Sequence, residues 1–236
     1  SSDCSLNAFR ASDGKKLWSI KTKSPVIGDG TVSDGVIYTG LGSGRFAAVD
    51  LKKGNILWEF QCGDGQAQGA PTVAEGRVVF GAWATYLYCL DAATGELLWK
   101  WNNGGGNKLF SPGNVVPRIA NGKVFIVAPD RYFTAIDLET GKQLWRSNAY
   151  RVRETTGISN DSSLIYAKTM DGQLLAVESA PNEYTERFVT DAGWGYDHNP
   201  CPILDVDGIV YMANRMGEVA AFTEDGWLRT GDMGVV

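Results

Sequence analysis

Short apolar runs, each bounded by polar turn residues, follow one another along the whole chain. Between Cys62 and Trp101 they read APTVAE, RVVFGA, YLYCLD and LLWKW. Runs of this length, rich in β-branched and aromatic residues, predict β-strands. Helices packed on a sheet would need amphipathic segments of about ten residues or more between strands, but the longest connections are rich in Gly. We therefore predict an all-β protein.

The turns between these strands are of two recurring kinds. Asn-Gly and Asp-Gly supply the positive φ angles that a tight hairpin needs. The first hairpin of each repeat is predicted to turn at Asp34-Gly35, Glu75-Gly76, Asn121-Gly122 and Asp207-Gly208. The last hairpin is predicted to turn at Asp13-Gly14, Lys53-Gly54, Thr94-Gly95 and Thr140-Gly141.

The sequence of the last hairpin recurs four times along the chain. In each copy Gly follows the first residue of the hairpin by six positions, and Trp follows that Gly by four. The copies are AFRASDGKKLW (8–18), AVDLKKGNILW (48–58), CLDAATGELLW (89–99) and AIDLETGKQLW (135–145). Two weaker copies lie near residues 176–190 and 221–230, without the Gly and Trp in register. Successive copies are separated by about 40 to 46 residues, the period of a four-stranded propeller blade.

The fold class predicted from this period is a β-propeller of four-stranded antiparallel blades, whose strands we name A to D from the axis outward. We expect residues 1–236 to form a single domain with five complete blades and a partial one. Residues 1–21 hold only a C and a D strand. We therefore expect the chain to be a piece of a longer propeller, of about six to eight blades in the intact protein, or of a multidomain protein.

The repeated Trp residues are predicted to join neighbouring blades. They are Trp18, Trp58, Trp99 and Trp145, all on outer D strands. A Trp ring buries about 150 Å² or more, and its indole N–H usually finds an acceptor when it is buried. We expect these four residues to be structural staples rather than a binding surface.

Function is predicted at the other end of each blade, where B–C turns and long D–A connections meet. Functional residues concentrate on loops that a rigid scaffold positions. The connection at residues 191–200 combines two aromatic rings, an acid and the only His of the chain. The candidate ligand- or partner-binding residues are Trp194, Tyr196, Asp197, His198, Arg151, Arg153, Glu154, Trp83, Tyr86, Arg131 and Arg215. A structured connection whose rings pack on the next blade is the alternative.

Composition narrows the function classes. The net charge of −5 and a pI near 5.0 argue against a nucleic-acid partner, and no apolar stretch is long enough to span a membrane. The four Cys residues lie far apart without a CxxC, which leaves their redox state open. No metal site is predicted, and a single His with no Gly-x-Ser-x-Gly disfavours nucleophilic catalysis.

The hairpin motif resembles the pyrroloquinoline-quinone (PQQ) enzyme repeat, Ala-x-Asp-x-x-Thr-Gly-x-x-x-Trp. Residues 135–145 match every position, residues 48–58 lack only the Thr, residues 89–99 differ only at Cys89, and residues 8–18 have Arg10 in place of the Asp and also lack the Thr. The resemblance covers essentially the whole chain. It implies a propeller, either of the quinoprotein dehydrogenases, which carry PQQ and calcium, or of non-catalytic relatives such as the outer-membrane barrel-assembly lipoprotein.

The dehydrogenases typically place two adjacent Cys residues over the cofactor, and no two Cys residues adjoin here. We therefore predict no cofactor and no catalytic residues, and expect a non-catalytic scaffold that binds a protein or small ligand in an exported, periplasmic bacterial protein. One alternative is a PQQ-dependent oxidoreductase with calcium, or a fragment of one. Another is a sensor or specificity domain attached to an enzyme domain such as a phosphoesterase.

Overall fold

The computed structural model describes residues 3–197 and 201–223, without the side chains of Lys108 and Glu154. The chain divides into two compact units. The described residues up to Pro117, with Thr140–Lys142, form unit 1. Arg118–Glu139 and the described residues from Gln143 onward form unit 2.

Unit 1 contains three antiparallel sheets. The first has two strands, β1 (Ser5–Phe9) and β2 (Lys16–Lys21). The second has β3 (Gly30–Ser33), β4 (Val36–Gly42), β5 (Arg45–Asp50) and β6 (Ile56–Gln61). The third has β7 (Thr72–Ala74), β8 (Arg77–Gly81), β9 (Leu87–Asp91) and β10 (Leu97–Trp101), followed by a 3-10 turn at Lys108–Phe110.

Unit 2 also contains three antiparallel sheets. The first has β11 (Arg118–Ala120), β12 (Lys123–Val127), β13 (Phe133–Asp137) and β14 (Gln143–Ser147). The second has β15 (Val152–Ile158), β16 (Leu164–Thr169), β17 (Gln173–Glu178) and β18 (Glu186–Asp191). The third has β19 (Leu204–Val206), β20 (Ile209–Ala213) and β21 (Val219–Thr223).

The predicted blade is confirmed in four sheets, each of which pairs its strands in chain order from A to D. The β1–β2 sheet consists of a C and a D strand, as the sequence indicates. The β19–β21 sheet has strands A to C, and residues 224–230, where its D strand was predicted, lie outside the described residues. The all-β class and the antiparallel blades are therefore as predicted.

The four predicted A–B turns are present, and their backbone shows why those residues occupy them. Asp34 has φ 48° and Gly35 has φ 77°, and the other three dipeptides also have positive φ at both positions. This is the two-residue hairpin geometry that Asn, Asp and Gly tolerate best.

The core of each unit lies between the faces of successive sheets. In unit 1 the rings of Phe46 and Phe80, on neighbouring sheets, stack with centroids 3.7 Å apart. In unit 2 Phe125 and Trp145 pack with Ile165 and Val177 of the next sheet. Sheets that pack face to face in this way bury the inward side chains of both.

The pairing between strands C and D is interrupted at the same place in all five described C–D hairpins. Ala48 pairs with Trp58, and the register then shifts at Val49. The other four hairpins shift in the same position, next to Ala8, Cys89, Ala135 and Ala176. A β-bulge of this kind bends the strand that carries it.

Two of the repeated Trp residues donate hydrogen bonds to a neighbouring sheet in unit 1. The Nε1 of Trp18 donates to the carbonyl oxygen of Leu51 at 2.9 Å, and that of Trp58 donates to Ala92 at 3.0 Å. Each acceptor directly follows the C strand of the next sheet. The bonds therefore tie each outer strand to the turn region beside it.

Trp145, in unit 2, is held differently. Its indole nitrogen is buried and has no hydrogen-bond partner among the described residues. The ring of Tyr184 meets it edge to face instead, with centroids 5.4 Å apart. Tyr184 lies in the loop between β17 and β18 of the following sheet. This loop lacks the turn Gly of the other C–D hairpins and is longer, and it brings Tyr184 to the Trp145 ring. Phe188 pairs with Ala176, in the place that Trp occupies in the other hairpins.

This contrast predicts different effects of removing one N–H group. Replacing Trp58 by benzothienylalanine keeps the ring size and removes the indole N–H, so we expect a loss of about 1 kcal/mol in the free energy of unfolding. The same replacement at Trp145 is expected to cost nothing or to stabilise, because a buried donor without an acceptor is removed. Urea unfolding of both variants measures the difference, and equal losses would contradict it.

Candidate functional site: a buried ion pair beneath two exposed connections

A buried ion pair in unit 2 lies where a B strand ends and a D–A connection passes. Lys168, near the end of β16, places its Nζ 2.9 Å from the Oδ2 of Asp197, and both side chains are 3% exposed. Asp197 follows β18 in the connection that the sequence singled out. Charges this deeply buried require partners, and here each charge is the other's partner.

Further hydrogen bonds make this pair a junction of three segments. The Lys168 ammonium also donates to the carbonyl oxygen of Ala213 at 3.0 Å. The backbone N–H of Arg215 donates to Asp197 Oδ2 at 3.0 Å, and the N–H of Asp197 donates to Met170 at 2.9 Å. The connection after β18 and the turns after β16 and β20 are thereby joined through Asp197.

Trp194 and Cys201 shield the pair from solvent. The Trp194 ring, half-buried against the core of the last two sheets, has its centroid 5.6 Å from Lys168 Nζ. The Cys201 sulfur accepts from the N–H of Ala213 at 3.4 Å. Burial raises the pKa of the Cys201 thiol, and that bond and the Lys168 charge offset the effect in part. The thiol is therefore protonated at neutral pH and is no nucleophile.

The junction supports side chains that face solvent. Tyr196, the neighbour of Asp197, is 54% exposed, and Met216, the neighbour of Arg215, is 77% exposed. The side chain of Arg215 is exposed as well. Of the predicted candidates, the structure thus brings Trp194, Tyr196, Asp197 and Arg215 together, with Asp197 inside and Tyr196 and Arg215 outside.

Three other predicted residues lie near the start of β15. Arg151 forms an exposed ion pair with Asp171 in the turn after β16, so this cation is partnered locally. Arg153 and Glu154 were predicted to lie in the D–A connection at residues 148–157, but β15 begins at Val152 and contains both. The pairing shifts register between Val152 and Thr156. This shift is a β-bulge, and it interrupts the alternation of apolar and polar residues, so the sequence of β15 resembles that of a loop.

Arg131, Trp83, Tyr86 and His198 are the remaining candidates. Arg131 of unit 2 is exposed in the turn after β12, with φ 70°. In unit 1 Trp83 donates from Nε1 to Gln68 Oε1 at 2.9 Å, and Tyr86 lies beside the ammonium of Lys100. His198 lies outside the described residues.

A cavity of about 580 Å³ in unit 2 lies at the opposite end of the blades and was not predicted. Its lining includes Asp161, Glu178 and Arg187. Hydrogen bonds from Ser159 and Ser163 lower the pKa of Asp161 to about 2. Glu178 and Arg187 approach to 3.9 Å. These charges are already engaged with the protein's own groups.

Sequence reasoning missed Lys168 and Met216. Lys168 stands in the apolar run LIYAKT, every residue of which is buried. A Lys inside such a run was a usable signal, because a buried ammonium requires hydrogen-bond acceptors or a paired carboxylate. Met216 carried no comparable signal, since it follows Arg215 in an ordinary polar turn.

A family model described as outer membrane protein assembly factor BamB matches residues 2–104 and 84–224. The chain belongs to this family. Its repeat is the PQQ-like one, and its fold class is the β-propeller.

Solved structures similar to this PQQ-like propeller show the same fold. BamB from Moraxella catarrhalis is 18% identical with a TM-score of 0.73, over 97% of this chain and 68% of that one. The computationally designed protein Ika8 is 17% identical with a TM-score of 0.75, over 94% and 66%. A quinohemoprotein alcohol dehydrogenase of Pseudomonas putida HK5 is 16% identical with a TM-score of 0.65, over 93% and 48%.

Among curated proteins, the quinoprotein ethanol dehydrogenase of Pseudomonas aeruginosa is 39% identical over 62 residues. The matched segment is 26% of this chain, and it spans only 10% of that enzyme. The similarity to this enzyme is thus limited to a segment about the length of one to two blade repeats.

The PQQ-like family name raises the question of whether PQQ and calcium fit this chain. Calcium requires several clustered oxygen ligands. In residues 3–197 and 201–223, no three His, Cys, Asp or Glu side chains gather as metal ligands. The four Cys residues are free thiols and none adjoins another. The described residues thus contain neither a cluster of three such ligands nor an adjacent Cys pair.

The same part of the chain contains no helix with the length and hydropathy needed to cross a membrane.

Proposed function

We propose that this propeller is a non-catalytic scaffold of an exported, periplasmic protein, and that it binds a protein partner through the exposed residues above the Lys168–Asp197 junction. The observation that carries the proposal is the fixing of two exposed loops to one buried carboxylate. Arg215 and Met216 lie in one loop and Tyr196 lies in the other.

The composition of this surface supports protein binding. Tyr, Arg and Met are enriched at the centres of protein interfaces, and these are the side chains presented. The junction holds both loops before a partner arrives, so little conformational entropy remains to be lost on binding. The family also supports a protein-binding role, because its model is described as an outer membrane protein assembly factor.

The test is a retention experiment with immobilised protein and an envelope extract of the source organism. Wild type is compared with the double variant Tyr196→Asp/Met216→Asp and with Leu17→Asp. Leu17 is 51% exposed on β2 in unit 1 and serves as the matched control. We expect wild type and the control to retain the same envelope proteins, including a component of outer-membrane protein assembly, and the double variant to lose them.

Thermal unfolding of all three variants establishes that each is folded. Equal retention by the double variant and wild type would contradict the proposed surface. Stoichiometric binding of PQQ in the presence of calcium, measured by absorbance, would favour the oxidoreductase alternative instead.

A further inference from the structure

A second candidate binding site lies in unit 1, between the outer strands of two neighbouring sheets. It is an open groove of about 480 Å³ between β6 and β10, a size common among ligand sites. Its lining includes Phe60, Cys62, Asp64, Tyr86, Tyr88 and Lys100. It is separate from the surface proposed above, which belongs to unit 2.

The floor of the groove is aromatic. Phe60 and Tyr88 meet edge to face with ring centroids 5.4 Å apart, and Tyr86 lies 5.9 Å from Tyr88. Tyr88 is buried, and its hydroxyl donates to the carbonyl oxygen of Cys62 at 3.1 Å. Burial raises the pKa of Tyr88 to about 12, so the floor is uncharged. Tyr86 and Phe60 are only half-buried and offer ring surface to an incoming side chain.

The groove has a cation at its rim. The exposed Lys100 places its Nζ 4.5 Å from the centroid of the Tyr86 ring. Its ammonium pairs with no carboxylate of the described residues. Asp64 also lines the groove. A ligand with one carboxylate is favoured at Lys100, whereas a second negative charge would be repelled by Asp64.

Cys62 does not add covalent chemistry to the groove. Its sulfur donates to the carbonyl oxygen of Gly44 at 2.7 Å, and its side chain is fully buried. Burial raises the pKa of the thiol to about 11, so it is protonated at neutral pH. The groove is therefore suited to binding and not to nucleophilic attack.

The walls of the groove favour an extended peptide. Strands β6 and β10 are each last in their sheets and have one strand neighbour in the described part of the chain. A peptide laid along such an edge gains main-chain hydrogen bonds, while side-chain pockets give specificity. Tyr86, Phe60 and Tyr88 supply an aromatic pocket, and Lys100 supplies a counter-charge.

We propose that this groove binds an extended peptide segment in which one acidic residue adjoins an aromatic residue. The acidic side chain pairs with Lys100, and the aromatic side chain packs on Tyr86, Phe60 and Tyr88.

The test is selection of phage-displayed random heptapeptides on the immobilised protein, followed by calorimetry with the most enriched sequence as a synthetic peptide. Enriched peptides are expected to pair an acidic with an aromatic residue. Lys100→Glu should weaken the affinity for the synthetic peptide about tenfold or more, which is the scale of a lost charge-assisted hydrogen bond. Asp64→Asn should raise the affinity. Lys21→Glu, an exposed charge reversal on β2, is the matched control and should bind as wild type does.

Tyr196→Asp/Met216→Asp should also leave this peptide affinity unchanged, which separates the groove from the proposed scaffold surface. Three results would overturn the groove proposal. They are an absence of enriched peptides, enrichment without an acidic–aromatic pair, and equal affinity for Lys100→Glu and wild type.

Discussion

Replacing Lys168 by Met is expected to lower the free energy of unfolding by about 3–5 kcal/mol, because it leaves the Asp197 carboxylate buried without its cation. The double variant Lys168→Met/Asp197→Asn removes both charges and keeps an acceptor for the Arg215 N–H. Its loss of unfolding free energy should be smaller than the sum of the losses of the single variants Lys168→Met and Asp197→Asn. Urea unfolding of the four proteins in a double-mutant cycle measures the coupling.

The exposed pair of Arg151 and Asp171 provides the control for this cycle. Its side chains are 53% and 47% exposed, so Arg151→Met is expected to cost less than about 1 kcal/mol. Hydrogen exchange adds a second measurement. In Lys168→Met the amides of Asp197 and Arg215 should exchange faster, since the junction orders both. Strong destabilisation by Arg151→Met, or additivity in the Lys168–Asp197 cycle, would contradict the assignment.

Gly95→Ala is expected to be the second strongly destabilising substitution. Gly95 has φ 75°, which costs a non-Gly residue about 1–2 kcal/mol. A Cβ at this position would also lie 2.6 Å from the ring of Trp58. Displacing that ring adds about 1–3 kcal/mol of overpacking and strains the hydrogen bond from Trp58 to Ala92. The change in urea midpoint, converted to free energy, tests the sum.

Gly76→Ala separates the two contributions. Gly76 lies in the same sheet with φ 72°, and a Cβ there would meet no atom of the described residues within 4 Å. This variant should therefore show the backbone cost alone, and Gly95→Ala should exceed it by the cost of moving Trp58. If both lose the same stability, the ring contact contributes nothing.

The hairpins could be predicted from sequence because their determinants are local. A two-residue turn such as Asp34-Gly35 is specified by the φ angles of those two residues, and Asp and Gly are among the few that adopt them. The period of the repeats then predicted the four-stranded blade. Strand β15 was harder, because its bulge between Val152 and Thr156 removes the alternation from which strands are recognised.

The junction could not be predicted in full, because its two charges come from segments 29 residues apart. The sequence showed Asp197 among aromatic residues, which made it a plausible ligand contact. Only the fold places Lys168 beneath it and turns the carboxylate inward. The candidate connection was thus located from sequence, whereas the division between its supporting and its exposed side chains depended on tertiary packing.

The shared bulge of the C–D hairpins bears on how such repeats should be counted in related sequences. Ala176 and Phe188 keep the pairing that Ala135 and Trp145 have, although they are separated by 12 residues rather than 10. A profile built on the Gly–Trp spacing would overlook this hairpin. A profile that tolerates a two-residue insertion in the turn and any aromatic residue at the Trp position would recover it, and divergent members of the family would be counted more accurately.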